Sequence, residues 1–260
     1  MNSQEIKYEK YIVSFIDILG WGEIIKTKNA EEIYKIHKYF SMFLADVQEL
    51  NSIRENAITL QFSDSMICMK KVKEEHQSGV LFDQINDLLR FQMELAGKNI
   101  LIRVGITVGD LFIEKSTNTY FGPAWNQAYY LESEIAKQPR IIIDNDLIED
   151  FNSHTSSYAA VHHMDYPEME QEYINSMLTY DIDEGGSKVF FIDYIEGAVN
   201  GEADEEMIIP FLEKHRKYII ETLNSSDIQD CVRKKFEWLK SYYNKKILRL
   251  IDEFKYLLIQ

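Results

Sequence analysis

The chain has 260 residues, 45% hydrophobic and 13% aromatic, enough to bury a real core in one large domain or two small ones. Its formal net charge of −15 argues against general binding to nucleic acid or anionic membrane, though a polyanionic nucleotide can bind where metal ions neutralise its phosphates. No run of roughly eighteen uncharged apolar residues predicts a membrane span, the start M-N-S-Q-E-I-K-Y-E-K lacks a signal-peptide pattern, and the distant cysteines Cys68 and Cys231 form neither a disulfide framework nor a zinc spacing. A cytoplasmic location is the expectation.

Residues 11–16 are almost continuously apolar and predict a buried strand. A helix is predicted at about 30–50, capped by Asn29 with Glu32 three places on. Ile33, Ile36, Phe40, Phe43 and Val47 keep helical spacing along it. Two short strands follow at about 56–62 and 65–70, joined tightly at Ser63-Asp64. A second helix at about 79–96 turns Leu81, Ile85, Leu88 and Leu95 inward and stops at Gly97. Ile100, Ile102, Val104, Ile106 and Val108 then alternate as one face of a strand, and a further strand is read at 110–114.

The order β-α-β-β-α-β predicts an α+β, ferredoxin-like fold with helices on one face of an antiparallel sheet. Gly122-Pro123 opens another helix and R-I-I-I-D is strand-like. Residues 146–186 are polar, acidic and read as an irregular excursion before a last strand, K-V-F-F-I-D-Y. From about 203 the pattern is helical, with Ser226 and Gln229 as a capping box for a long basic helix that is expected to offer a docking or dimer surface. The division expected is a domain over 1–198 and a helical extension over 199–260, packed on that domain or on a dimer partner.

Two carboxylates interrupt strand-like sequence: Asp17 in S-F-I-D-I-L-G-W and Asp64 in Q-F-S-D-S-M-I-C-M. Burying a charge costs on the order of several kcal/mol unless it is paired or binds a metal. Either these aspartates mark turns, or they share a cation. The adjacent His162 and His163 point apart on any regular element and read as a solvated loop.

Four segments in order, F-I-D-I-L-G-W, F-S-D-S-M, R-V-G-I-T-V-G and T-Y-F-G-P-A-W-N, resemble the motifs of the class III nucleotidyl cyclase catalytic domain. The likeness covers about 11–145 and the strand near 188–194. With its F-G-P-A-x-N-x-A-Y-x-L-E helix and helical tail, the chain is most similar to bacterial pyrimidine cyclases of Pycsar anti-phage defence, which make cyclic UMP or cyclic CMP.

The resemblance implies two Mg²⁺ or Mn²⁺ ions per active site, held by Asp17, Asp64 and the carbonyl of Ile18. It implies a nucleoside triphosphate substrate, and a homodimer whose sites combine metal aspartates from one chain with an asparagine from the other. Asn126 matches that ribose-positioning asparagine. Tyr130 stands where the wider family has an arginine that steadies the phosphates, and Arg103 or Arg140 are candidates to replace it, Arg103 having the more structural aspect. Lys188 lies near the family's phosphate-binding lysine. Leu60 occupies the place of the charged purine reader and Thr119 that of its partner, which disfavours ordinary adenine or guanine selection. Two alternatives remain open: an adenylyl cyclase with an unusual pocket, and an inactive cyclase-like domain that binds a nucleotide or partner.

Overall fold

A computed structural model of the chain describes residues 6–54, 57–72, 80–154, 167–200, 205–249 and 252–260. His162 and His163 lie outside the described residues, as does the side chain of Val47. Strand β1 (Glu9–Ile18) leads through a short helix α1 (Trp21–Thr27) into the long helix α2 (Ala30–Arg54). The hairpin β2 (Ala57–Phe62) and β3 (Ser65–Lys71) follows, then α3 (Val80–Ala96) and β4 (Ile102–Glu114). The order β2-β3-β1-β4, antiparallel throughout, is the ferredoxin-like arrangement that the sequence predicts.

The capping box of α2 forms as expected. Asn29 Oδ1 accepts from the Glu32 amide at 3.0 Å, and Glu32 Oε2 accepts from the Asn29 amide at 3.1 Å. Helix α1 is an addition to the predicted elements. Gly20 precedes it at φ 78°, a left-handed conformation that suits glycine and turns the chain sharply after β1. At the end of α3 the left-handed residue is Asn99, at φ 61°, rather than Gly97.

The further strand read at 110–114 is not separate. Strand β4 continues unbroken to Glu114, with Gly109 and Asp110 pairing Tyr11 and Lys10 of β1. Strand β5 (Thr119–Phe121) folds back on the far end of β4, and α4 (Pro123–Tyr130) runs into a π-helical turn (Leu131–Ala136). Strand β6 (Ile141–Ile143) then adds to β4 in parallel.

The region 146–186 holds more regular structure than its polar composition predicts. It contributes α5 (Asn145–Ser153), α6 (Pro167–Ser176) and an edge strand β7 (Leu178–Ile182), paired with β8 (Lys188–Ile192). The chain ends with α7 (Tyr194–Asn200), α8 (Glu205–Leu223), α9 (Asp230–Ile247) and a 3₁₀ turn (Asp252–Leu257). Gln229, not Ser226, is the residue before α9, and no side chain caps that helix.

Alternation divides the sheet into two faces. Ile12, Ile16, Ile102, Val104 and Ile106 pack with α2, α3 and α5 in the main core. Tyr11, Val13, Ile67, Met69 and Leu111 face the other way and pack against Ala124 and Ala128 of α4. The C-terminal helices share a further core with Leu101, Leu131, Ile142 and Phe191. The apolar stripe of α9 is therefore buried within its own chain, including Phe236, Leu239, Tyr243 and Ile247.

Gly105 sets the approach of α4 to β4. A Cβ there would collide with the Ala128 carbonyl oxygen and lie 2.7 Å from both the Glu132 amide nitrogen and Leu131 Cβ. Gly105→Ala is expected to lower unfolding free energy by about 1–3 kcal/mol, the usual range for overpacking. Urea denaturation checks this, and an unchanged midpoint would contradict the close contact of helix and strand.

Candidate active site

The residues around Asp17 are assembled by strand register. Asp17 lies opposite Ser65 of β3 on one side and Arg103 of β4 on the other. The Ile18 amide donates to the Asp64 carbonyl at 3.2 Å, which ties the end of β1 to the β2–β3 turn. Ser63 takes the left-handed conformation in that turn, at φ 48°. Asp17, Ile18 and Asp64 are thus brought to one place. The Asp64 carboxylate bears on the charge of Asp17, and makes no hydrogen bond with any described residue.

Arg103 Nη2 donates to Asp17 Oδ2 at 2.6 Å and lies 2.7 Å from Glu132 Oε1. The second contact is an ion pair without hydrogen-bond alignment, since Glu132 Oε1 has no hydrogen-bond partner. Ser65 Oγ also donates to Asp17 Oδ1, at 3.4 Å. Burial raises the pKa of Asp17; Arg103 opposes it, Asp64 adds to it and Ser65 opposes it. Burial likewise pushes the Glu132 carboxyl up to about 7, with Arg103 opposing and Asp17 and Asp64 adding.

Glu132 is the site residue that the motifs do not mark. A signal was present: Ala124, Ala128 and Glu132 recur every four residues, so a carboxylate continues the buried stripe of a helix. Such a residue needs a charged partner.

The other expected residues are dispersed. Asn126 and Tyr130 sit one helical turn apart on the exposed side of α4. Asn126 lines an open recess of about 590 Å³ with Tyr8, Tyr120, Phe121, Gly122, Pro123 and Trp125. Leu60 is half-buried on the α4 side of the sheet, level with Ile67, Phe15 and Gly105. Thr119 pairs with Glu114, nine residues further along β4, and its Oγ1 is 2.9 Å from that of Thr117.

Arg140 is engaged in the fold. Its guanidinium bonds Asp181 at 2.7 Å and the carbonyls of Ala136 and Ile135, and lies over the rings of Phe191 and Trp238. It lines a separate cavity of about 580 Å³ between the π-helical turn, the β7–β8 hairpin and α9. Lys188 opens β8, which joins the sheet through β6, and its ammonium stands 4.4 Å from the centre of the Tyr180 ring.

The donor set suits a hard cation. Two carboxylates beside a strand-end carbonyl supply oxygen only, and magnesium needs few protein ligands because it keeps much of its water. Among the described residues no group of three or more His, Cys, Asp or Glu side chains is placed to hold a metal. The fit therefore rests on Asp17 and Asp64 as a pair.

No protein-family model matches the chain, and no curated protein matches it. Among solved structures it is similar to the guanylate cyclase domain of RhGC from Catenaria anguillulae in complex with GTP, at 15% identity and a TM-score of 0.47, over 72% of this chain and 98% of that one. A bacterial light-regulated adenylyl cyclase is similar at 14% identity and 0.47, over 82% and 99%. The adenylyl cyclase CyaB from P. aeruginosa is similar at 14% identity and 0.43, over 73% and 96%. No helix among the described residues is long and apolar enough to cross a membrane.

Glu132 gives the site a stability signature. Its folded pKa of about 7 lies above its ordinary 4.5, so the folded chain holds a proton that the unfolded chain releases between those values. That stabilisation is full below about pH 4.5 and is lost as pH rises through 7. Glu132→Gln removes it. In metal-free buffer, the stability of wild type relative to Glu132→Gln is expected to fall by on the order of 3 kcal/mol from pH 4.5 to 7.5. Urea unfolding at the two pH values measures the difference, and parallel profiles would mean that Glu132 titrates alike in the folded and unfolded chain.

Proposed function

We propose that the protein is a nucleotidyl cyclase that converts a pyrimidine nucleoside triphosphate, UTP or CTP, into its 3′,5′-cyclic nucleotide and pyrophosphate. The role that follows is second-messenger synthesis of the Pycsar type in anti-phage defence. The observation that carries the reading is the meeting of Asp17 and Asp64 at the tip of the central strands, on the sheet face that also carries the Asn126 helix.

In the reaction the ribose 3′-hydroxyl gives its proton to solvent and its oxygen bonds to the α-phosphorus as the bond from that phosphorus to the β-phosphate bridge breaks and pyrophosphate leaves. Mg²⁺ or Mn²⁺ held by Asp17, Asp64 and the Ile18 carbonyl, two ions per site, would supply activation of the attacking oxygen and neutralisation of the leaving charge. Arg103 holds the Asp17 carboxylate in place from the neighbouring strand. Asn126 orients the ribose, and Tyr130 offers a neutral hydroxyl to the phosphates.

The placement of Asn126 supports a shared, homodimeric site. Ala124 packs on Gly109 at the level of Tyr11, while Glu132 reaches Arg103 at the level of Asp17. Asn126 is six residues before Glu132, a rise of roughly 9 Å along a helix. A site using both residues is readily completed by a second chain. Leu60 supports the pyrimidine assignment, because an apolar side chain offers no hydrogen bond to a purine edge.

The test is incubation with an equimolar mixture of the four ribonucleoside triphosphates and Mg²⁺ or Mn²⁺, with product analysis. Cyclic UMP or cyclic CMP is expected to dominate, and dominant cyclic AMP would overturn the pyrimidine assignment. Asp17→Asn and Asp64→Asn are each expected to lower turnover by at least about a hundredfold, the scale of losing one electrostatic stabiliser of a transition state. Co-expressed Asp17→Asn and Asn126→Ala chains are expected to regain activity through one intact site per mixed dimer; mixed dimers no more active than either parent would place both residues in cis.

A further inference from the structure

Helix α9 is fixed to the body of the chain along one stripe. Lys235, Leu239, Tyr242 and Lys246 recur every three or four residues, and the last three are buried. Near its C-terminal end the helix is anchored through Asp193, which pairs with Lys246 and accepts from the Tyr242 hydroxyl at 2.7 Å. The same hydroxyl accepts from the Ile195 amide at 3.2 Å. Towards its start, Phe236 and Leu239 share a core with Leu101 and Leu131, against which Val232 and Leu19 also pack. Leu19 follows Asp17 by two residues, Leu101 precedes Arg103 by two, and Leu131 adjoins Glu132. The beginning of α9 therefore shares a core with residues one or two positions from Asp17, Arg103 and Glu132.

Lys235 stands at that end of the stripe. It is half-buried and within electrostatic range of both Arg103 and Asp17. Buried Lys70 and Lys246 each have a carboxylate partner, Asp87 and Asp193. Lys235 forms no hydrogen bond or ion pair with any described residue. Burial and the Arg103 charge disfavour its ammonium while Cys231 and Asp17 favour it, and a bound phosphate would add the hydrogen-bonding anion that its donors lack. The other basic candidates are engaged: Arg103 with two carboxylates, Arg140 with Asp181, and Lys188 on the Tyr180 ring. Tyr130 supplies no charge.

We propose that Lys235 is a phosphate-binding residue of the Asp17–Asp64 site, contributed by the C-terminal helix of the same chain. The C-terminal helices then complete the substrate site, binding the triphosphate end of the nucleotide. The inference rests on the nucleotidyl cyclase reading, and its test separates the two.

Magnesium tripolyphosphate, which has a triphosphate but no base or ribose, is titrated into wild type and variants by calorimetry. Lys235→Gln is expected to weaken binding by about ten- to a hundredfold, the scale of one charge-assisted hydrogen bond. Lys235→Arg should keep most of the affinity, and Lys234→Gln, at an exposed neighbour, should leave it unchanged. The KM for the cyclised triphosphate should rise with the same order. Wild-type binding by Lys235→Gln, or no binding by wild type, overturns the proposal. Loss of tripolyphosphate binding in Lys235→Gln, from a wild type that cyclises none of the four triphosphates, sustains the phosphate site and refutes the cyclase reading.

Discussion

One guanidinium joins the two layers on which the candidate site depends. Arg103 reaches Asp17 within the sheet and Glu132 in the turn packed above it. Both contacts follow from backbone constraints: β1–β4 register places Arg103 opposite Asp17, and Gly105 lets α4 come close enough for Glu132 to arrive. Three carboxylates, Asp17, Asp64 and Glu132, thus lie within electrostatic range of one another, with Arg103 paired to two of them and Lys235 in range of Asp17. Burial raises the pKa values of both Asp17 and Glu132, Arg103 opposes it in each case, and the neighbouring carboxylates add to it. A site of this kind favours protons or metal cations, and the free carboxylate of Asp64 leaves room for the latter.

The ferredoxin-like half was legible because its cues are local. Alternation in β4, the Asn29–Glu32 cap and the Ser63-Asp64 turn each specify their own geometry over a few residues. The two aspartates could be singled out because a charge in an apolar run conflicts with its surroundings. What could not be read depended on distant partners. Strand β7 mixes Thr179 and Asp181 among its apolar residues, is nowhere fully buried, and is a strand because β8 pairs with it. Ser226 with Gln229 has the spacing of a cap, yet α9 begins later, where Phe236 and Leu239 meet the sheet-side core. Arg140 had the charge to substitute for a missing arginine, and only the fold reveals that Asp181 takes it.

The two halves of the proposed chemistry are separated by ordinary element geometry. Helix α4 runs alongside β4, so whatever lies near its start is displaced from whatever lies near its end. Asn126 belongs to the first group and Glu132, with Arg103 and Asp17, to the second. Each chain thus presents a cation-attracting corner and, apart from it, an aromatic recess beside an amide. Lys235, within electrostatic range of Asp17, lies on the helix whose start shares a core with Leu19, the residue that follows β1.

That return has a consequence for how the molecule comes into being. Leu19 and Val232 pack against a common core although more than two hundred residues separate them along the chain. During synthesis the sheet can pair long before α9 is made, leaving Leu101 and Leu131 uncovered in the meantime. Contacts of such long sequence separation form late and slowly, because loop closure precedes the burial that rewards it. The nascent chain would therefore complete this core only after α9 leaves the ribosome, and a chaperone that shields this apolar face should speed recovery without altering the folded product.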